Sequence, residues 1–313
     1  PMQSVLDQLQ ALGGKPIETL TPAEARKQPT PADAVKALMA KMGPPPAAEA
    51  GPTSADRTIP GPGGPLPVRV YTPQGGKNLP VIVYYHGGGW VIANKDVYDA
   101  GARSLSKNAN AVVVSVDYRQ APEHRFPAAH DDAFATYLWT LKNAASINGD
   151  PARVALAGES AGGNLAVATA MTARDKKVQM PLAVLAVYPV AQTDTMTASY
   201  VENANAKPLN RPMMGWFVKH VIRSPADLKD PRIDLVHANL AGLPPVTIIN
   251  AQIDPLRDDG AMLEAALTKA GVPVERKLYD GVTHEFFGMG AVVPKAMDAQ
   301  QFGADALKKA LAK

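Results

Sequence analysis

Val154-Ala155-Leu156-Ala157-Gly158-Glu159-Ser160-Ala161-Gly162-Gly163-Asn164 is the stretch on which the fold turns. Four small or aliphatic residues make a short strand, and an Ala-rich run from Leu165 to Arg174 has the composition of a helix. Between them, Gly158-Glu159-Ser160-Ala161-Gly162 reads G-x-S-x-G. Strand, sharp turn and helix are the context in which such a serine stands at the top of a sheet, at the positive end of the following helix. Glycines flank it because the turn leaves no room for side chains. Small residues are common, however, and a solvated serine in a tight turn would leave the same trace. The remaining sequence has to decide.

Near-continuous apolar runs lie on both sides. Val81–Tyr85, Ala111–Val116, Leu182–Val187 and Val246–Ile249 read as strands buried on both faces. Helical patterns separate them at Val97–Lys107, Phe126–Ala145, Ser160–Arg174 and Leu256–Ala270. Val68–Tyr71 alternates like an antiparallel edge strand, Val274–Tyr279 like a last strand, and Ala296–Ala312 like a closing helix. The alternation predicts an α/β fold with a mostly parallel central sheet covered on both faces. We expect the catalytic body to span residues 51–190 and 244–313.

Two segments do not fit that alternation. Residues 1–50 carry short amphipathic helices: Val5, Leu6, Leu9 and Leu12 share a face, and Thr21 and Thr30 each start a capping box with proline next in line. The Pro- and Gly-rich stretch from Gly43 to Pro67 reads as a linker with at most a short strand near Arg57-Thr58-Ile59. Residues 191–243 show no clear strand, and Asn210 caps a helix with Met213, Met214, Phe217, Val218 and Val221 in one stripe. A connection this long is usually functional. We expect residues 1–50 and 191–243 to form a helical cap whose apolar stripe roofs a partly apolar ligand.

The 313 residues have 46% hydrophobic content, a net charge of +3 with interspersed signs, and no cysteine. That suits one large globular domain with insertions. It gives no nucleic-acid footprint, and it excludes disulfides, thiolate zinc sites and a cysteine nucleophile. No apolar run approaches the ~20 residues of a membrane span. The expectation is a cytoplasmic protein with a small-molecule partner. The last strand, read as an open edge, adds the expectation of a homodimer.

His86-Gly87-Gly88-Gly89-Trp90 follows the buried strand Val81–Tyr85 directly. Acyl transfer builds negative charge on the former carbonyl oxygen, and bare backbone N–H groups stabilise it. A glycine loop of this kind supplies half of an oxyanion hole in lipases and esterases, and the N–H after the serine supplies the rest. That N–H belongs to Ala161; spacing alone leaves open which of the three glycines donates. A serine nucleophile also needs a base, and the chain order in this fold class is serine, acid, histidine. Of six histidines only His284 lies after the last strand, in Gly281-Val282-Thr283-His284-Glu285-Phe286. Asp254 stands just past the strand Val246–Ile249 and is the expected acid. Asp258 and Asp259 fall in the first turn of the next helix, where the helix dipole accounts for a carboxylate. Asp280 reads as turn-forming. Ser160 is thus the candidate nucleophile, His284 the base and Asp254 the group that orients it. Trp90, Met213, Met214, Phe217 and Phe286 are the candidate substrate pocket.

The chain resembles the hormone-sensitive-lipase-like group of α/β-hydrolases, the bacterial family IV esterases. The matching stretches are His86-Gly87-Gly88-Gly89-Trp90-Val91-Ile92, Asp117-Tyr118-Arg119, Ala121-Pro122-Glu123-His124-Arg125-Phe126-Pro127-Ala128 and Gly158-Glu159-Ser160-Ala161-Gly162-Gly163-Asn164. Leu243-Pro244-Pro245 and Asp254-Pro255-Leu256-Arg257-Asp258-Asp259-Gly260 match too. The resemblance implies carboxylester hydrolysis of short- to medium-chain acyl esters, no cofactor, no metal, a two-part helical cap, and oxyanion donors at Gly88, Gly89 and Ala161. Glu159 departs from the commoner Asp, Gln252 from Glu and Glu285 from Gly, while Gln120 and His130 replace aliphatic residues. Glu159 and Glu285 adjoin the candidate catalytic residues, where a charge shifts substrate preference or the histidine pKa. Asp117–Arg125 reads as a structural polar network. An amidase, lactonase or acyltransferase would use the same triad, and a non-catalytic receptor on this fold would lack a triad member.

Overall fold

The computed structural model describes residues 1–44 and 51–312; residues 45–50 of the expected linker and residue 313 lie outside them. Eight strands form one sheet: β1 (Thr53–Ile59), β2 (Leu66–Thr72), β3 (Leu79–Tyr85), β4 (Val112–Val116), β5 (Gly149–Glu159), β6 (Val184–Val187), β7 (Val246–Ile253) and β8 (Val274–Thr283). Their spatial order is β1-β2-β4-β3-β5-β6-β7-β8. β1 and β2 run antiparallel to their neighbours, and β3 to β8 are parallel. The helices are α1 (Met2–Ala11), α2 (Pro22–Ala25), α3 (Pro31–Lys41), α4 (Asp99–Ala109), α5 (Ala128–Asn143), α6 (Ala161–Asp175), α7 (Ala198–Glu202), α8 (Arg211–Val221), α9 (Arg257–Lys269) and α10 (Pro294–Leu311).

Burial on both faces makes the central strands near-continuous apolar runs. Val81, Val83 and Tyr85 of β3 join Val112, Val114 and Val116 of β4 in one core, which α5, α6 and α9 cover. Ile82, Tyr84 and Val113 point the other way, into a second core closed by α4 and α10. Each fully buried aliphatic side chain contributes about 1.5–3 kcal/mol, so the sheet's interior fixes its register.

Three sequence expectations need correction. The segment read as a linker contains all of β1, a strand with six exposed residues in seven. Its apolar content is too low to signal a strand; pairing with β2 over seven residues makes it one. β2 is therefore an inner strand, and β1 takes the edge. β8 does not stop at Tyr279 but continues through Asp280 to Thr283, past a register irregularity opposite Ala251–Ile253. Asp280 accordingly sits in a strand rather than a turn.

Both expected capping boxes are present, Thr21 with Glu24 and Thr30 with Asp33. Met2, Val5, Ala34 and Val35 from α1 and α3 join the second core, while Ile17 and Ala25 join the first with Met214, Trp216 and Phe217 of α8. The Trp216 indole donates to the Leu20 carbonyl at 3.1 Å. Arg26 reaches into the body: its guanidinium donates to the Val91 and Ala121 carbonyls at 2.8 and 2.9 Å and to Glu123 at 2.6 Å.

Candidate active site

Ser160, Asp254 and His284 follow immediately after β5, β7 and β8, at the carboxyl ends of parallel strands, where open α/β sheets hold their ligands. The serine is the residue between β5 and α6, with φ 61 and ψ −118. Only a tight local network holds a non-glycine residue there. The Ser160 N–H donates to the Val187 carbonyl at 2.8 Å, and its own carbonyl accepts from Asn164 and Val190 at 3.2 Å each. All three side chains are buried: Ser160 is 5% exposed, His284 3% and Asp254 0%.

The three meet. His284 Nε2 lies 2.9 Å from Ser160 Oγ, and Nδ1 lies 2.7 Å from Asp254 Oδ2. In the neutral ring this places the proton on Nδ1, facing the carboxylate, and leaves Nε2 to accept from the hydroxyl. Asp254 is itself anchored, its Oδ1 accepting from the Leu256 N–H at 2.9 Å. Burial alone would lower the imidazole pKa, but Asp254, Glu285 and Glu159 together raise it above 6.5.

Two further carboxylates surround this ring. Glu159 is buried beneath the turn and accepts from the Tyr84 hydroxyl and, at 2.6 Å, from Tyr188. The Tyr188 ring in turn lies 4.4 Å from the imidazole, centroid to centroid. Burial, with Glu285 nearby, pushes the Glu159 carboxyl up to about 7. Glu285 Oε1 is 3.5 Å from His284 Nε2, and the Tyr98 hydroxyl is 2.6 Å from both Glu285 oxygens. Nothing in the sequence signals Tyr98 or Tyr188; both come from elements distant in the chain. Asp259 is a second surprise. It is fully buried and accepts from the Ala191 and Gln192 N–H groups at 3.0 and 3.3 Å, so it ties the insertion to α9 rather than merely facing a helix dipole.

Gly88 and Gly89 have φ of +107 and +60, and the N–H groups of Gly88, Gly89 and Ala161 donate to no other described residue. A Cβ on Gly88 would fall 2.2 Å from the Ile92 carbonyl oxygen. Gln120, one of the departures noted above, donates to the Ile92 and Ala93 carbonyls at 2.8 and 2.9 Å and so braces this loop. Gly88→Ala is therefore expected to displace the loop's amides and lower kcat by about 10²–10³-fold, read in a steady-state ester assay. The polar network Asp117–Arg125 braces the same region: Arg119 grips buried Asp132 at 2.9 Å, and Lys95 pairs with Asp117 at 3.2 Å.

A cavity of about 840 Å³ opens over the serine and histidine. Trp90, Met213, Met214 and Phe217 line it, as do N-terminal residues such as Leu9 and Ile17. Phe286 does not. It is fully buried in the second core, 5.5 Å from Tyr279 and 6.1 Å from Tyr188, centroid to centroid. Glu285, at φ 79, turns the chain back so that the next side chain points under the sheet. Among the described residues, no group of three or more His, Asp or Glu is placed to hold a metal ion, and no helix is long and apolar enough to cross a membrane.

A family model for the α/β-hydrolase fold matches residues 82–288. A carboxylesterase of Mycobacterium tuberculosis, NlhH, is 43% identical over 251 residues, covering 79% of each chain. An arylesterase of Saccharolobus solfataricus is 35% identical over 234 residues, 71% of this chain and 73% of its own. The solved structure of an esterase from Pyrobaculum calidifontis superposes with a TM-score of 0.88 at 35% identity, covering both chains completely.

Proposed function

Because the chain belongs to the hormone-sensitive-lipase-like α/β-hydrolases, we propose that it is a serine carboxylesterase acting on short- to medium-chain acyl esters. The observation that carries this reading is the hydroxyl–imidazole–carboxylate contact series, 2.9 and 2.7 Å, on the floor of a partly apolar cavity. Ser160 Oγ attacks the ester carbonyl as His284 Nε2 takes its proton. The oxyanion is held by the amides of Gly88, Gly89 and Ala161. His284 gives the proton to the departing alcohol, leaving an acyl-serine. Water, deprotonated by the same nitrogen, releases the acid and restores the serine. Asp254 holds the ring's tautomer and stabilises its cation. Residues 191–243 and the described part of the N-terminal segment, residues 1–44, act as the cap that bounds the pocket.

The cavity falls within the ~300–1,000 Å³ of small-molecule sites, so kcat/KM should peak at short or medium acyl chains and fall for long ones. A p-nitrophenyl ester panel tests this; activity climbing steadily to long-chain triglycerides would refute it. The pH profile gives an independent check. The base must be neutral to accept the serine proton, and its pKa is raised. Activity is therefore lost as pH falls through the raised value. The acid limb of kcat/KM should have its midpoint above 6.5.

A further inference from the structure

Glu285 takes no part in the proton relay, yet it stands against the imidazole that performs it. Its Oε1 lies 3.5 Å from His284 Nε2, the nitrogen that also meets Ser160 Oγ at 2.9 Å. Its place is fixed from two sides. The backbone at residue 285 has φ 79, and the Tyr98 hydroxyl sits 2.6 Å from both carboxylate oxygens. One hydroxyl proton occupies only part of a carboxylate's accepting capacity. The rest is available toward the cavity, which Glu285 lines with its side chain 16% exposed.

The place of this charge matters. The departing alcohol must approach Nε2 to within about 3 Å to receive its proton. A carboxylate beside that nitrogen therefore borders the alcohol portion of the ester, whereas the carbonyl oxygen is drawn toward the glycine loop. Among the other charged groups lining the cavity, Asp117 pairs with Lys95 and Arg26 with Glu123, Lys15 and Lys207 are exposed, and Glu18, half-buried with one unpartnered oxygen, belongs to the N-terminal segment rather than to the loop that carries His284.

The geometry points to Glu285 as the specificity-determining residue of the leaving-group side, favouring esters whose alcohol carries a cationic ammonium group a few atoms from the ester oxygen. This rests on the serine-esterase reading above and names its substrate class. The charge is pH-dependent. The groups acting on Glu285 are His284, Tyr98, Glu159 and Asp254. Burial raises its carboxyl above 4.5, against the opposing pull of His284 and Tyr98. The ionised fraction, and with it the preference for a cation, grows as pH rises.

The test uses two acetate esters of matched shape, acetylcholine and 3,3-dimethylbutyl acetate, which differ by one positive charge. The readout is the ratio of their kcat/KM values in mildly alkaline buffer, so effects on the shared relay cancel. Glu285→Gln should lower the cationic-to-neutral ratio roughly tenfold. In the wild type the ratio should climb with pH, and in the variant it should not. Glu285→Gly provides a second variant, since glycine adopts the positive φ without strain. A ratio unchanged in both variants overturns the inference. Ser160→Ala is assayed alongside. If the wild type cleaves neither ester faster than that variant, the esterase reading fails and takes the inference with it. If cleavage needs Ser160 but the ratio stays put, only the role of Glu285 is lost.

Discussion

Replacing Ser160 by alanine is expected to lower kcat on a short p-nitrophenyl ester by about 10⁶-fold while leaving the fold intact. The size of the loss follows from the way the three groups act as a unit: without Oγ, the imidazole 2.9 Å away has no nucleophile to activate. The amides of the glycine loop and Ala161 remain, so a small catalytic residue over water should persist. Alanine keeps the Cβ, and the backbone at φ 61 is no worse for it. The thermal midpoint should therefore barely move. A variant with near-wild-type turnover would remove Ser160 from the chemistry altogether.

The second large effect is at Asp254, where asparagine should lower kcat by about 10⁴-fold. The carboxylate is fully buried, accepts from the Leu256 amide with one oxygen and faces Nδ1 with the other. Asparagine bonds Leu256 with its carbonyl and turns its NH₂ toward the ring. Nδ1 must then accept, the proton moves to Nε2, and that nitrogen can no longer take one from the serine. Steady-state kinetics on the purified variant measure the effect. A loss below about tenfold would show that Asp254 is not the group that sets the ring's tautomer.

Much of this site is legible in the sequence because its elements announce themselves locally. The strand–turn–helix around Ser160 and the glycine triplet after β3 each carry a backbone requirement that few residues meet. His284 and Asp254 emerge from chain order, and the three residues do converge. What the sequence hides depends on partners far along the chain. β1 buries only its last residue, Ile59, and becomes a strand only against β2. Asp259 looks like any acid in a first helical turn, and only the arrival of Ala191 and Gln192 buries it. Phe286 seems destined for the pocket because it is two residues past the base; the left-handed residue between them sends it into the core instead. The bracing of the glycine loop by Gln120 is equally invisible, since a glutamine in a loop has no pattern.

The backbone at position 160 carries a tension of its own. A φ of 61 with ψ −118 is conformational territory that glycine enters freely and serine does not. At this residue, then, folding and reactivity want different amino acids. A glycine there is expected to relax the turn between β5 and α6 while removing the proposed nucleophile. The chain tolerates local discomfort at one point because that discomfort is what lifts a hydroxyl clear of the sheet.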